Sequence, residues 1–258
     1  MIIIKSPREI ELMKAAGAVV AGVFEAIKPL MRPGVSTKVI ADKAESYIKS
    51  KGAKPTFKGY GGFPGSVCIS VNEVIIHGIP SKKTILKEGD IVSVDVGATL
   101  NGYVGDACRT FGVGNISEEA KKLIETTKQS FFEALSVVKP GARIGDISAK
   151  VQHFVENAGF NVLKDFSGHG IGRNLHEDPN IPNYGKSGTG ALIKEGMCLA
   201  IEPMVALGSD RYEILNDGWT VRMLDRKISA HYENSIAVTK DGIIILTMSD
   251  EEEKELNG

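Results

Sequence analysis

The sequence predicts a mixed α/β fold in which two copies of one helix–helix–hairpin unit form a single domain over residues 1–258. Three observations predict it. Apolar residues at helical spacing occur in two pairs of segments, one pair in each half. Each pair leads on to a β-branched apolar run. The landmarks of the first half then recur in the second at a single offset of 107 residues.

Pro7 to Leu30 reads as an amphipathic helix, with Ile10, Met13, Gly17, Val20 and Phe24 near helical spacing. Ser6 can cap it, Pro7 suits its first turn, and Pro33-Gly34 stops it. Ser36 to Lys51 is a second helix, with Val39, Ile40, Ala44, Tyr47 and Ile48 on one side and Gly52 as C-cap. Gly59 to Gly65 is a glycine-rich loop. Val67 to Val71 and Glu73 to His77 read as short strands. Ile91 to Phe111 is a hairpin whose first strand carries Ile91, Val92, Val94 and Val96, with Asn101-Gly102 as the turn. In the second half Ser117 to Val138 is a helix ended by Pro140-Gly141, and Gly145 to Asn157 is one ended by Gly159. Lys194-Glu195-Gly196 precedes the apolar strand MCLAIEP. The acidic stretch Ser249 to Gly258 reads as a solvated end.

At the offset of 107, Phe24 meets Phe131, Pro33-Gly34 meets Pro140-Gly141, and Ile40 meets Ile147. Gly52 meets Gly159, Lys87-Glu88-Gly89 meets Lys194-Glu195-Gly196, and Asp95 meets Glu202. The copies span about residues 6–112 and 115–247, with no Pro- or Ser-rich linker between them.

Composition excludes several classes. A formal net charge of −1 gives no electrostatic basis for binding nucleic acid or an anionic membrane. No apolar run reaches the length of a membrane span. Three cysteines without CxxC spacing argue against a disulfide framework and fit a reducing cytosol. Glycine is abundant, 29 of 258 residues, against a usual share of about 7%. That abundance predicts many tight turns or close backbone approaches.

The chemistry starts in the hairpin. With Asn101-Gly102 as the turn, Asp95 stands opposite Cys108, and Asp106 is its diagonal neighbour, roughly 7–8 Å away on the same face. Buried like charges need a counter-charge. Arg109 could supply it, or a metal cation could; the hairpin alone leaves both open. The repeat predicts a second pair, Glu202 and, on the returning strand in HYENSIAVT, Glu233. Four carboxylates facing one another would repel strongly unless two divalent cations compensate or some of them are exposed. SGHGIGRNLHE adds His169 and His176 among glycines. A Glu/Asp/His set without cysteine suits Mn, Fe, Co or Zn in hydrolytic chemistry. His153 reads as a solvent-facing helix residue. For His231, two residues before Glu233, packing is preferred over support of the ligands. Gly185-Lys186-Ser187 is not a phosphate loop, because Asn180 fills the required glycine position.

Asp95, Asp106, His169, Glu202 and Glu233, together with His77 and His176, lie in CISVNEVIIHGIP, SVDVG…GYVGDACRTF, SGHGIGRNLHE, AIEPM and HYENSIAVT. This set resembles the type I methionine aminopeptidases over nearly the whole chain. The resemblance implies the pita-bread fold, two pseudo-symmetric halves around a curved antiparallel sheet. It implies removal of an initiator methionine when the second residue is small, with two divalent ions (Co, Mn, Fe or Zn). Asp95 would chelate one ion and His169, with Glu202, the other, while Asp106 and Glu233 bridge. Glu202 would also shuttle a proton, His77 would bond the scissile amide, and His176 would stabilise the carbonyl oxygen. The methionine pocket would be lined by Tyr60, Phe63, Cys68, Leu175 and Trp219. Leu175 departs from the aromatic residue of some bacterial members. Trp219 on sequence alone could equally be a loop anchor packed into the core. A monovalent cation, Na or K, would sit near Asn72, Val74 and Ser229. The implied protein is a cytoplasmic monomer acting on peptide or nascent-chain N-termini, with transient ribosome contact and no nucleic-acid or membrane partner. Two rivals stay open: a proline-specific peptidase of the same fold, and a metal-free binding module.

Overall fold

Capping chemistry sets the helix starts. The structure, a computed structural model, describes residues 1–257, with side chains through residue 254. Helix α1 (Pro7–Ile27) opens with a capping box in which Ser6 Oγ accepts from the Glu9 amide and the Glu9 carboxylate accepts from the Ser6 amide. Its last three predicted residues, Lys28–Leu30, tighten into a 3₁₀ turn. Helices α2 (Thr37–Ser50) and α3 (Glu118–Leu135) are capped by Ser36 and Ser117. Helix α4 (Ile144–Asn157) completes the second pair. Val39, expected on the apolar side of α2, is instead 48% exposed, because it lies in the first turn beyond the packed stripe of Ile40, Ala44 and Ile48.

The hairpin has the expected register. Asp95 pairs with Cys108 and Gly97 with Asp106 across strands Ile91–Leu100 and Tyr103–Gly112. Asn101 and Gly102 both take positive φ, as a tight two-residue turn requires. Among the described residues the hairpin belongs to a nine-stranded sheet whose pairings are all antiparallel. At its centre the Tyr103–Gly112 strand pairs with Glu233–Thr239, through Glu233↔Cys108 and Asn234↔Ala107. Glu233–Thr239 pairs in turn with Cys198–Ile201. Hydrogen bonds recur across the halves. Gly34 N donates to Leu86 O and Gly141 N to Ile193 O; the bridge Ser36↔Ile85 has its counterpart in Arg143↔Leu192.

The two-residue period of the strands sorts the side chains. Val92, Val94, Val96, Ala98 and Ala107 face α1 and α2, together with Val20, Phe24, Ile40 and Ile48. Leu199, Ile201, Ile236 and Val238 face α3 and α4 in the second core. Asp95, Asp106 and Cys108 therefore project from the opposite face. Gly17 makes the α1 contact close: a Cβ there would stand 1.9 Å from Leu246 O, and one on Gly105 of the sheet 2.8 Å from the Gly17 backbone.

The C-terminal stretch differs from expectation. Asp250–Asn257 forms a helix, α5, and is not simply solvated. Glu252 accepts from Arg109 Nε at 2.6 Å and from Nη2 at 3.3 Å. Arg109 is buried on the helix-facing side of the sheet, with its guanidinium over the rings of Phe24 and Tyr232. A buried cation needs an anion, and the tail brings one.

Candidate metal centre

Each half of the sheet delivers carboxylates to one cavity of about 190 Å³. Asp95 and Asp106 come from the first hairpin. Glu233 comes from the strand that pairs with it, opposite Cys108. Glu202 leaves the end of Cys198–Ile201, one residue past the antiparallel Asn234↔Ile201 pair, and Glu233 is the neighbour of Asn234 at that same end. His77, His169 and His176 line the same cavity.

Arg109 does not compensate this pair. It follows Cys108 by one residue, so it points to the other face, where it donates to Cys108 O, Glu233 O, Asn234 Oδ1 and Glu252. Among the described residues the groups within ion-pair distance of the four acids are imidazoles. His169 Nε2 stands 3.8 Å from Asp106 Oδ2 and 3.5 Å from Glu202 Oε1. His231 Nε2 stands 3.7 Å from Glu202 Oε2 and 3.9 Å from Glu233 Oε2. Asp95 Oδ1, Asp106 Oδ1, Glu233 Oε1 and His231 Nε2 are buried without a hydrogen-bond partner.

Such anions hold their protons more tightly. Burial raises Asp95 to about 7. Burial, then repulsion from Asp95, raises both Asp106 and Glu202 well above the usual range. Glu233 is raised by burial, then by Asp106 and Glu202. Burial lowers His169 to about 4 and His231 to about 3, so both rings are neutral at pH 7. His169 Nδ1 lies 2.9 Å from Gly170 O, to which it can donate, leaving the Nε2 lone pair toward the acids. Neutral nitrogen donors among unpaired carboxylate oxygens are what divalent transition ions require. Asp106, His169 and Glu233 present one donor atom each within 4.8 Å of one another, and so do Glu202, His231 and Glu233. The donor set therefore fits the expected ions. The earlier preference for His231 as a packing residue is corrected: its ring faces the acids.

The expected pocket residues share this cavity. Tyr60, Phe63, Cys68, Leu175 and Trp219 line it, with Phe57 and Gly61 in addition. Phe63 and Trp219 meet edge to face at 5.2 Å. Trp219 is positioned by Asp217, whose carboxylate accepts from the amides of Trp219 and Thr220; it is half-buried, lining the cavity while packing against the apolar cluster of Phe57, Phe63 and Leu175. Tyr60 Oη lies 2.8 Å from His176 Nδ1. His77 has φ 57°, a strained value for a non-glycine residue that swings it out of strand Val74–Ile76 toward Trp219. Burial and Asp95 hold the Cys68 thiol in its neutral form. Phe57 had no sequence signature beyond its place before the glycine-rich loop. Gly97 makes room for it, since a Cβ there would stand 2.5 Å from its ring.

His153 is exposed on α4, away from the cavity, and pairs with Asn157. Asn72 O accepts from Ser229 N and Oγ, and Val74 opens the next strand.

The sequence matches metallopeptidase family M24 over residues 11–240. It is 51% identical over 247 residues to methionine aminopeptidase 1 of Bacillus subtilis strain 168, covering 96% of this chain and 99% of that protein. The crystal structure of methionine aminopeptidase from Thermotoga maritima superposes with a TM-score of 0.95 at 46% identity, covering 96% of this chain and all of that one. Xaa-Pro dipeptidase from Bacillus anthracis superposes at 0.76 with 24% identity, covering 95% of this chain and 62% of that one, a likeness of fold alone.

Proposed function

The chain belongs to metallopeptidase family M24, and on that premise we propose that it is a methionine aminopeptidase, hydrolysing the first peptide bond of chains whose second residue is small. One observation carries the proposal: a carboxylate–imidazole cluster and an apolar, aromatic wall share a single cavity. Asp95, Asp106, His169, Glu202 and Glu233 would hold two divalent ions of the Mn, Fe, Co or Zn class. Such ions, when bound, lower the pKa of water and polarise a carbonyl.

The chain's own residues do the rest. Phe63, Trp219, Tyr60, Leu175 and Cys68 receive the methionine side chain, whose thioether favours aromatic edges. Glu202 takes a proton from the attacking water and passes it to the leaving amine. His77, turned into the cavity by its positive φ, bonds the scissile amide. With the Tyr60 hydroxyl donating to Nδ1, His176 keeps a proton on Nε2 to donate to the carbonyl oxygen as charge develops. Burial lowers the pKa of both rings, so they serve as neutral donors. A monovalent cation at Asn72, Val74 and Ser229 is part of the same reading. So are a cytoplasmic monomer and a transient contact with the ribosome; no described helix is long and apolar enough to cross a membrane.

The test is peptide cleavage by protein reconstituted anaerobically with Mn, Fe, Co or Zn. Release of methionine from Met-Gly peptides, with Xaa-Pro peptides untouched, is expected. Cleavage confined to Xaa-Pro bonds would overturn the proposal. Ile2 is large, so intact-mass analysis should find Met1 retained.

A further inference from the structure

His231 is a sixth candidate donor, outside the set assigned above. Its side chain is 3% exposed, and Nε2 has no hydrogen-bond partner. The distances of 3.7 and 3.9 Å to Glu202 and Glu233 are too long for hydrogen bonds. They match the spacing of His169 from its own two acids, 3.8 and 3.5 Å. Donors each about 2.0–2.2 Å from a shared cation stand roughly 3–4 Å apart. Both imidazoles thus stand at the same range from two carboxylates each, His169 near Glu202 Oε1 and His231 near Glu202 Oε2.

The backbone around His231 is fixed as a ligand's should be. Its amide donates to Thr110 Oγ1 at 3.0 Å, and Thr110 Oγ1 lies 2.8 Å from both His231 O and Ser93 Oγ. These bonds pin the His231 backbone to the hairpin that carries Asp95 and Asp106. Leaving Nε2 unpaired in a buried site would be costly unless something accepts its lone pair.

We propose that His231 ligates a divalent transition cation through Nε2, together with Glu202 and Glu233, so that the centre carries two imidazole nitrogens. This rests on the two-cation reading of the cavity. The alternative role is that of a positioning residue, donating a hydrogen bond to Glu202. The experiment loads ¹⁵N-histidine-labelled protein with ¹¹³Cd and counts imidazoles that show one-bond coupling to cadmium. Two are expected in the wild type and one in His231→Gln, which keeps an N–H donor but has no ring nitrogen. Calorimetric titration with Co(II) should show one equivalent binding at least about 10-fold more weakly in both His231→Gln and His231→Ala. A wild type with His169 as its single coupled ring, or His231→Gln with undiminished affinity, would overturn the assignment and leave the two-cation reading intact. A wild type that binds neither cation would overturn both.

Discussion

Asp95 offers a test of why the centre needs cations at all. In the cation-free fold, burial lifts its pKa from 3.8 to about 7. Between these values the folded chain binds more protons than the unfolded one. Its contribution to stability is therefore full below pH ~4 and is lost as pH rises through about 7. At 1.36 kcal/mol per pH unit, about three units amount to on the order of 4 kcal/mol of strain at pH 8. Asp95→Asn removes the titration and keeps an oxygen for the Val96 amide. In EDTA the variant should match the wild type near pH 4 and exceed it by as much as about 4 kcal/mol at pH 8. For a chain of this size that is roughly 8–16 °C in Tm. Thermal melts in EDTA from pH 4 to 8 give the difference, to which relief of the repulsion from Asp95 on Asp106 and Glu202 adds in the same direction at high pH. Adding Mn should reverse the order, because the wild type gains a ligand the variant lacks. A difference flat with pH, or a wild type gaining on the variant as pH rises without metal, would refute the argument.

Other outcomes are equally specific. Glu202→Gln and His77→Ala should each lower kcat on a Met-Gly peptide by about 10²–10⁴, with wild-type turnover in either showing the role misplaced. Tyr60→Phe keeps the aromatic wall and loses the bond to His176 Nδ1, so kcat should fall about 10-fold at nearly constant KM; a change in KM alone would make Tyr60 a wall residue only. Glu252→Gln weakens the partner of buried Arg109 and should cost about 2 kcal/mol in urea unfolding; an unchanged midpoint would mean that the contacts with Phe24 and Tyr232 suffice.

Much of this was legible in the chain. Helical spacing, the serines at the starts of α1 to α3 and the Asn101-Gly102 turn are local signals, and together with the glycine stops they place α1 to α4 and the hairpin register within a few residues. The alternation of strand faces also contained the answer to the Arg109 question, since residue 109 cannot share a face with 106 and 108. What stayed hidden was long-range. Glu252 reads as a solvated charge because the cation it serves lies 143 positions away. His231 shares a face with Glu233 in the sequence, but its burial and its missing partner appear only when strands from both halves close over it. The positive φ of His77 has no marker at all, since a glycine would usually stand there.

The seam between the Asp106 and Glu233 strands has a practical consequence. A chain severed between residues 113 and 116 would leave two pieces, each with its own helix pair, yet neither with all the donors. Divalent ions would then act as glue between the fragments. Enzyme activity restored by mixing them would count their encounters, making the protein a natural candidate for a split reporter.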